Sequence, residues 1–66
     1  MNLSNSEYVL MTNKDSYFVE YLLEYLVVSD SISEAMIFTD YFTAVRFQDM
    51  LLKKCEIQFN ISTFIK

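Results

Sequence analysis

An α+β fold, with one main helix packed on one face of a small antiparallel sheet in the order ββ(β)αβ, is predicted for this 66-residue chain by three observations. Residues 56–66 alternate apolar with polar, residues 40–54 carry an apolar stripe at helical spacing, and two segments rich in β-branched and aromatic side chains flank an Asn-Lys-Asp-Ser turn. Alternation with period two marks a strand with one buried face, whereas recurrence at three and four residues marks a helix. Nothing in the chain reads as a linker, a repeat or a low-complexity run. One domain is therefore expected over residues 7–66, with residues 1–6 as a flexible N-terminal tail.

In chain order, residues 8–12 read as a strand and Asn13-Lys14-Asp15-Ser16 as the turn after it. Residues 17–28 admit two readings. As a strand, Tyr17, Val19, Tyr21, Leu23, Tyr25 and Val27 share one face with Glu20 and Glu24 opposite; as a helix, the two glutamates pair at i,i+4 and Tyr17, Tyr21 and Tyr25 form a second row. The abundance of β-branched and aromatic residues favours the strand. Ser31-Ile32-Ser33-Glu34 matches a capping box and predicts a single helical turn, followed by a short strand at Met36-Ile37-Phe38.

The main helix is expected over residues 40–54, with Thr39 or Asp40 as N-cap and Lys53 and Lys54 set favourably against the C-terminal dipole. Tyr41, Ala44, Phe47, Gln48, Leu51 and Leu52 form its apolar stripe, while Arg46, Asp49 and Lys53 face the other way together with Phe42. In the final strand Ile57, Phe59, Ile61 and Ile65 point inward, and Phe64 breaks the alternation on the polar side.

Inventory removes most enzymatic chemistry. The chain has no His, no Gly and a single cysteine, Cys55. Nucleophilic serine or cysteine is usually activated by a histidine, and phosphate-cradling loops need glycine where the backbone meets the ligand. No enzyme, no cofactor and no metal site are expected; one cysteine also excludes an intrachain disulfide. The N-terminus lacks the basic and apolar regions of a signal peptide, and residues 17–28 are too short and too acidic for a membrane span, so a cytoplasmic location is expected.

Charge is distributed unevenly along a chain of net −4. Asp15, Glu20, Glu24, Asp30, Glu34 and Asp40 precede Val45 with no Lys or Arg among them, and cations resume at Arg46. Nucleic-acid affinity rests on Lys and Arg, so direct nucleic-acid binding is not expected, and an acidic surface suits a partner protein with a basic one. Tyrosine offers contact area with a polar tip. Glu20, Tyr21, Glu24, Tyr25, Glu34, Asp40 and Phe42 are thus the candidate partner-binding residues. The tyrosines equally suit a small core with their hydroxyls at its rim. Because one helix covers one face of a sheet, a second copy of the chain is the simplest cover for the other face, and a homodimer is expected.

The stretch Ser29-Asp30-Ser31-Ile32-Ser33-Glu34-Ala35-Met36-Ile37-Phe38-Thr39, continuing to Ala44-Val45-Arg46-Phe47, resembles a pattern in small phage and prophage proteins of low-GC Gram-positive bacteria. In those, an S/T-D-x-I-x-x-A-x-x-F segment leads to a helix carrying A-x-x-F, with strands before and after. Composition agrees, since Phe, Tyr, Met, Asn, Lys and Ile, all drawn from AT-rich codons, supply 28 residues and Gly, Pro, Ala and Arg only three. The resemblance implies a stoichiometric inhibitor of a host protein, within or outside a defence system. It carries no site residues. The other reading is a self-associating structural or assembly protein; a DNA-binding regulator would have to rely on Arg46, Lys53, Lys54 and Lys66 alone.

Overall fold

A computed structural model describes residues 6–64. The expected tail, apart from Ser6, and the inward placement of Ile65 lie outside the described residues. Four strands, β1 (Glu7–Met11), β2 (Tyr17–Leu22), β3 (Tyr25–Ser29) and β4 (Asn60–Phe64), and one helix, α1 (Tyr41–Cys55), make the α+β fold. The sheet is antiparallel in the order β3-β2-β1-β4, so the last strand pairs with the first.

Residues 17–28 are neither one strand nor a helix. They fold back on themselves as a two-residue hairpin in which Leu22 faces Tyr25 and Leu23 and Glu24 form the turn. Both turn residues have positive φ, 51° and 63°. Such turns match the right-handed twist of the flanking strands and ordinarily use Asn-Gly, which this glycine-free chain does not offer.

A register shift between Phe18 and Glu20 leaves Val19 as an extra residue in β2. A bulge of this kind moves every later side chain to the opposite face. Phe18 therefore points toward α1, and so does Tyr21, which packs with Leu26 against the core. Glu20 pairs with Val27 and Leu22 with Tyr25 on the face turned away. The expected continuous row of Tyr17, Tyr21 and Tyr25 is thereby broken, with Tyr21 on one face and Tyr25 on the other.

The core consists of Leu10, Phe18, Phe38, Ala44, Leu51 and Phe59. Phe18 sits at its centre, with ring centroids of Phe38, Phe47 and Phe59 at 6.3, 5.9 and 6.1 Å. Of the expected helical stripe, Ala44 and Leu51 are buried and Phe47 and Gln48 are half-buried, but Tyr41 and Leu52 are exposed. Gln48 Nε2 instead donates to the Phe59 carbonyl at 2.8 Å, which ties the helix to the chain entering β4.

Residues 36–38 do not form a strand; they make a wedge. Tyr8 and Phe38 exchange both backbone hydrogen bonds at 2.8 Å, and the Met36 N–H donates to the Phe18 carbonyl at 2.9 Å. β1 and β2 are registered to each other only at Met11 and Tyr17, next to their turn, and the wedge takes up backbone groups of both strands beyond it. The expected capping box is also rearranged. Residues Ile32–Glu34 form a 3-10 turn without a side-chain cap, Ser31 Oγ lies 2.8 Å from Ser33 Oγ, and the Glu34 carboxylate accepts from Ser29 Oγ.

The second face of the sheet is less bare than one helix would leave it. Val9 points away from Leu10 by the alternation of a strand, yet it is only 1% exposed within the single chain. Met11, Tyr17 and Val27 are half-buried. Leu22 and Tyr25 lie on the same face and stay exposed, so this face is covered along β1 and bare near the β2–β3 turn.

At the start of α1, Asp40 Oδ2 accepts from the Thr43 N–H at 3.1 Å and from Thr43 Oγ1 at 2.9 Å. It satisfies a donor that the first helical turn leaves unpaired. Asp40→Ala is expected to destabilise the fold by about 1 kcal/mol, with Asp40→Asn recovering most of it. Urea denaturation of the three proteins checks this, and equal midpoints would contradict it. At the other end Lys53 and Lys54 occupy the last turn and Glu56 closes it in the left-handed region, its N–H donating to the Leu52 carbonyl at 3.0 Å.

Candidate functional site

The exposed apolar surface gathers at the β2–β3 turn. Leu22 is 62% exposed, Leu23 98% and Tyr25 74%. Leu22 and Tyr25 are cross-strand partners, and Leu23 sits between them at the turn, so the three belong to one tip. Glu24 completes the turn and Glu20 lies two residues behind Leu22 on the same face. A leucine held at positive φ is unfavourable through the clash of its Cβ with the backbone, and a fully exposed one gains nothing from burial to offset it. Strained residues of this kind concentrate where a side chain is used for contact or chemistry.

The seven residues expected to bind a partner fall in three places. Glu20, Tyr21, Glu24 and Tyr25 share the hairpin, although Tyr21 is turned inward. Glu34 is held against Ser29, at the far end of β3 from the turn, about 14 Å away along a five-residue strand. Asp40 and Phe42 belong to the N-terminus of α1, where the Asp40 carboxylate is occupied as a cap. Phe42 is 73% exposed, its ring set edge-on to Tyr41 at 6.2 Å. Tyr41 in turn stacks edge-on with Tyr8 at 5.4 Å. Leu22 and Leu23 were missed because the long-strand reading gave them no special place.

The Tyr21 phenol is displaced upward from its ordinary titration range. Desolvation by partial burial, then the electrostatic influence of Cys55 and of Glu24, raise its pKa above 10.0. The folded state thus holds the proton more tightly than the unfolded state does. The associated stability is present in full below pH 10 and is lost as pH rises through the folded pKa. Ultraviolet titration of the native protein should contain a phenolate component above pH 10 that Tyr21→Phe removes, together with the accompanying alkaline loss of stability.

An open groove of about 480 Å³ lies between the Thr12–Ser16 turn, β3 and the approach to β4, with Leu26, Val28 and Ile57 in its wall. Lys14 and Glu56 are its charged lining residues, so it does not bring together the paired carboxylates that acid–base hydrolysis uses. Among the described residues, no group of three or more Cys, Asp or Glu is placed to hold a metal ion. No helix among them is long and apolar enough to cross a membrane. Cys55 is a free thiol, half-buried against the core. Comparison with known proteins gives no match: no family model, no curated protein and no solved structure aligns with this chain.

Proposed function

We propose that this protein is a small acidic binding module, without catalytic activity, that works stoichiometrically by occupying a basic surface of another protein. The observation that carries this reading is the placement of Glu20 and Glu24 on the same exposed hairpin as Leu22, Leu23 and Tyr25, within a stretch of chain that holds six acids and no cation. Tyrosine and leucine at the centre supply contact area, and carboxylates around them steer encounter and set specificity. The resemblance to phage proteins makes a cytoplasmic host protein the partner class and inhibition the outcome of binding.

The test is capture of partners by the tagged protein from lysate of the cells in which it acts, washed at two salt concentrations and identified by mass spectrometry. A single stoichiometric protein, lost at high salt and lost again on Glu20→Lys/Glu24→Lys, is the expected result. Capture that survives both the salt and the charge reversal would refute the acidic-surface reading.

Self-association is the second reading, and the two sheet edges favour it. Among the described residues β3 and β4 each pair on one side only, leaving a row of backbone donors and acceptors on the other. Sedimentation over a concentration series separates the two: a monomer or closed dimer suits a binding module, and open-ended growth suits an assembly protein.

A further inference from the structure

We infer that the hairpin tip is an insertion element, with Leu23 as its anchor, that enters an apolar cleft rimmed by Lys and Arg on the partner protein. This rests on the binding-module reading above and specifies its geometry. The tip is convex, so its complement is a recess. Its three exposed apolar side chains, Leu22, Leu23 and Tyr25, come from four consecutive residues, and the fourth is Glu24. Glu20, on the same face as Leu22 and Tyr25, adds a second carboxylate just behind them. A cleft that takes the leucines therefore meets two negative charges at its mouth, and cations on its rim would complement them without being buried. The turn supports the same conclusion, because Asn-Gly there would relieve the backbone and only the side chains of Leu23 and Glu24 would be lost.

Charge decides between this and other occupants. An anionic bilayer would have to accept Glu20 and Glu24 along with the leucines, on a chain of net −4. A second copy presenting its own tip would oppose four carboxylates at short range. The groove along the helix that holds Arg46 also holds Asp49, so its rim is of mixed sign and complements the two glutamates less well than a rim of Lys and Arg alone.

The experiment places a benzophenone amino acid at position 23 of the full chain, and separately at position 42, and irradiates each in the same lysate. Position 42 is the natural comparison because Phe42 is the other highly exposed aromatic. The expected result is a cross-link from position 23 to one protein, mapped to a peptide lining an apolar recess with Lys or Arg at its edge. With that partner purified, Leu23→Ser/Tyr25→Ser should weaken affinity about tenfold or more and Phe42→Ser by less than about twofold, as expected of an anchor against a peripheral contact. Far-UV circular dichroism should be unchanged in both, because these side chains are exposed. A cross-link from position 42 alone would overturn the tip as the insertion element and leave the acidic module standing; silence at both positions would remove both. Cross-linking of the chain to itself, or tip-dependent co-sedimentation with phosphatidylglycerol vesicles, would overturn the protein-cleft assignment in favour of a dimer contact or a membrane contact.

Discussion

Phe18→Ala is expected to leave most of the protein unfolded at 25 °C. Phe18 is fully buried, and its ring meets those of Phe38, Phe47 and Phe59, which come from the wedge, the helix and the approach to β4. Truncating a buried phenylalanine to alanine costs about 3–5 kcal/mol, made up of lost transfer energy and the cavity left behind. A domain of this size rarely holds more than about 3–5 kcal/mol in total, and here neither disulfide nor histidine-based metal site adds to it. Three elements would lose their shared contact in one substitution. Far-UV circular dichroism across a urea series is the measurement, and a cooperative transition shifted by less than about 1 kcal/mol would mean that the core does not depend on this ring. Phe18→Leu, which keeps most of the volume, should retain a folded baseline.

Leu23→Asn/Glu24→Gly has the opposite sign. Both residues occupy the left-handed region at a hairpin turn, where Asn and Gly are at ease and a leucine is not. Leu23 contributes almost no burial to the single chain, so its removal exposes nothing. The double substitution is expected to stabilise the fold by about 1–2 kcal/mol, or roughly 7–14 °C in Tm for a domain of this size. The same protein should bind its partner poorly. A gain in stability coupled to a loss of binding would identify the turn as a place where the fold is held below its optimum for the sake of contact. Unchanged or lower Tm would show that the positive φ values are not a source of strain.

The period-two and period-3.6 patterns carried the architecture because each governs a whole element. β1, α1 and β4 all lie within one to four residues of where alternation and capping residues place them. The hairpin between them escaped detection for two physical reasons. Its turn is made by Leu-Glu rather than by any residue that favours positive φ, so no local signal marks it. The bulge at Val19 then reverses the faces, so that a pattern consistent with one uninterrupted strand also fits two shorter ones. Ser31 and Glu34 mimic a capping box, yet Ser29 competes for the glutamate and wins it. The candidate site was therefore half legible. Glu20, Glu24 and Tyr25 stood out by charge and ring, but Leu22 and Leu23 take their significance from a turn that only three-dimensional pairing reveals.

The wedge at residues 36–38 has a bearing on the order in which the molecule assembles. β2 and β3 are joined by two residues and can zip locally in microseconds, whereas β1 and β4 join the two ends of the chain and must wait for loop closure across the whole intervening sequence. β1 and β2 cannot zip to full length from their own turn without shutting out residues 36–38, so a prematurely completed β1–β2 hairpin is a competing, off-pathway pairing. The reciprocal amides of Tyr8 and Phe38 are formed only when the two ribbons have closed on the wedge. In amide hydrogen exchange these two protons should consequently report global opening, while those near the Leu23–Glu24 turn exchange by local fraying.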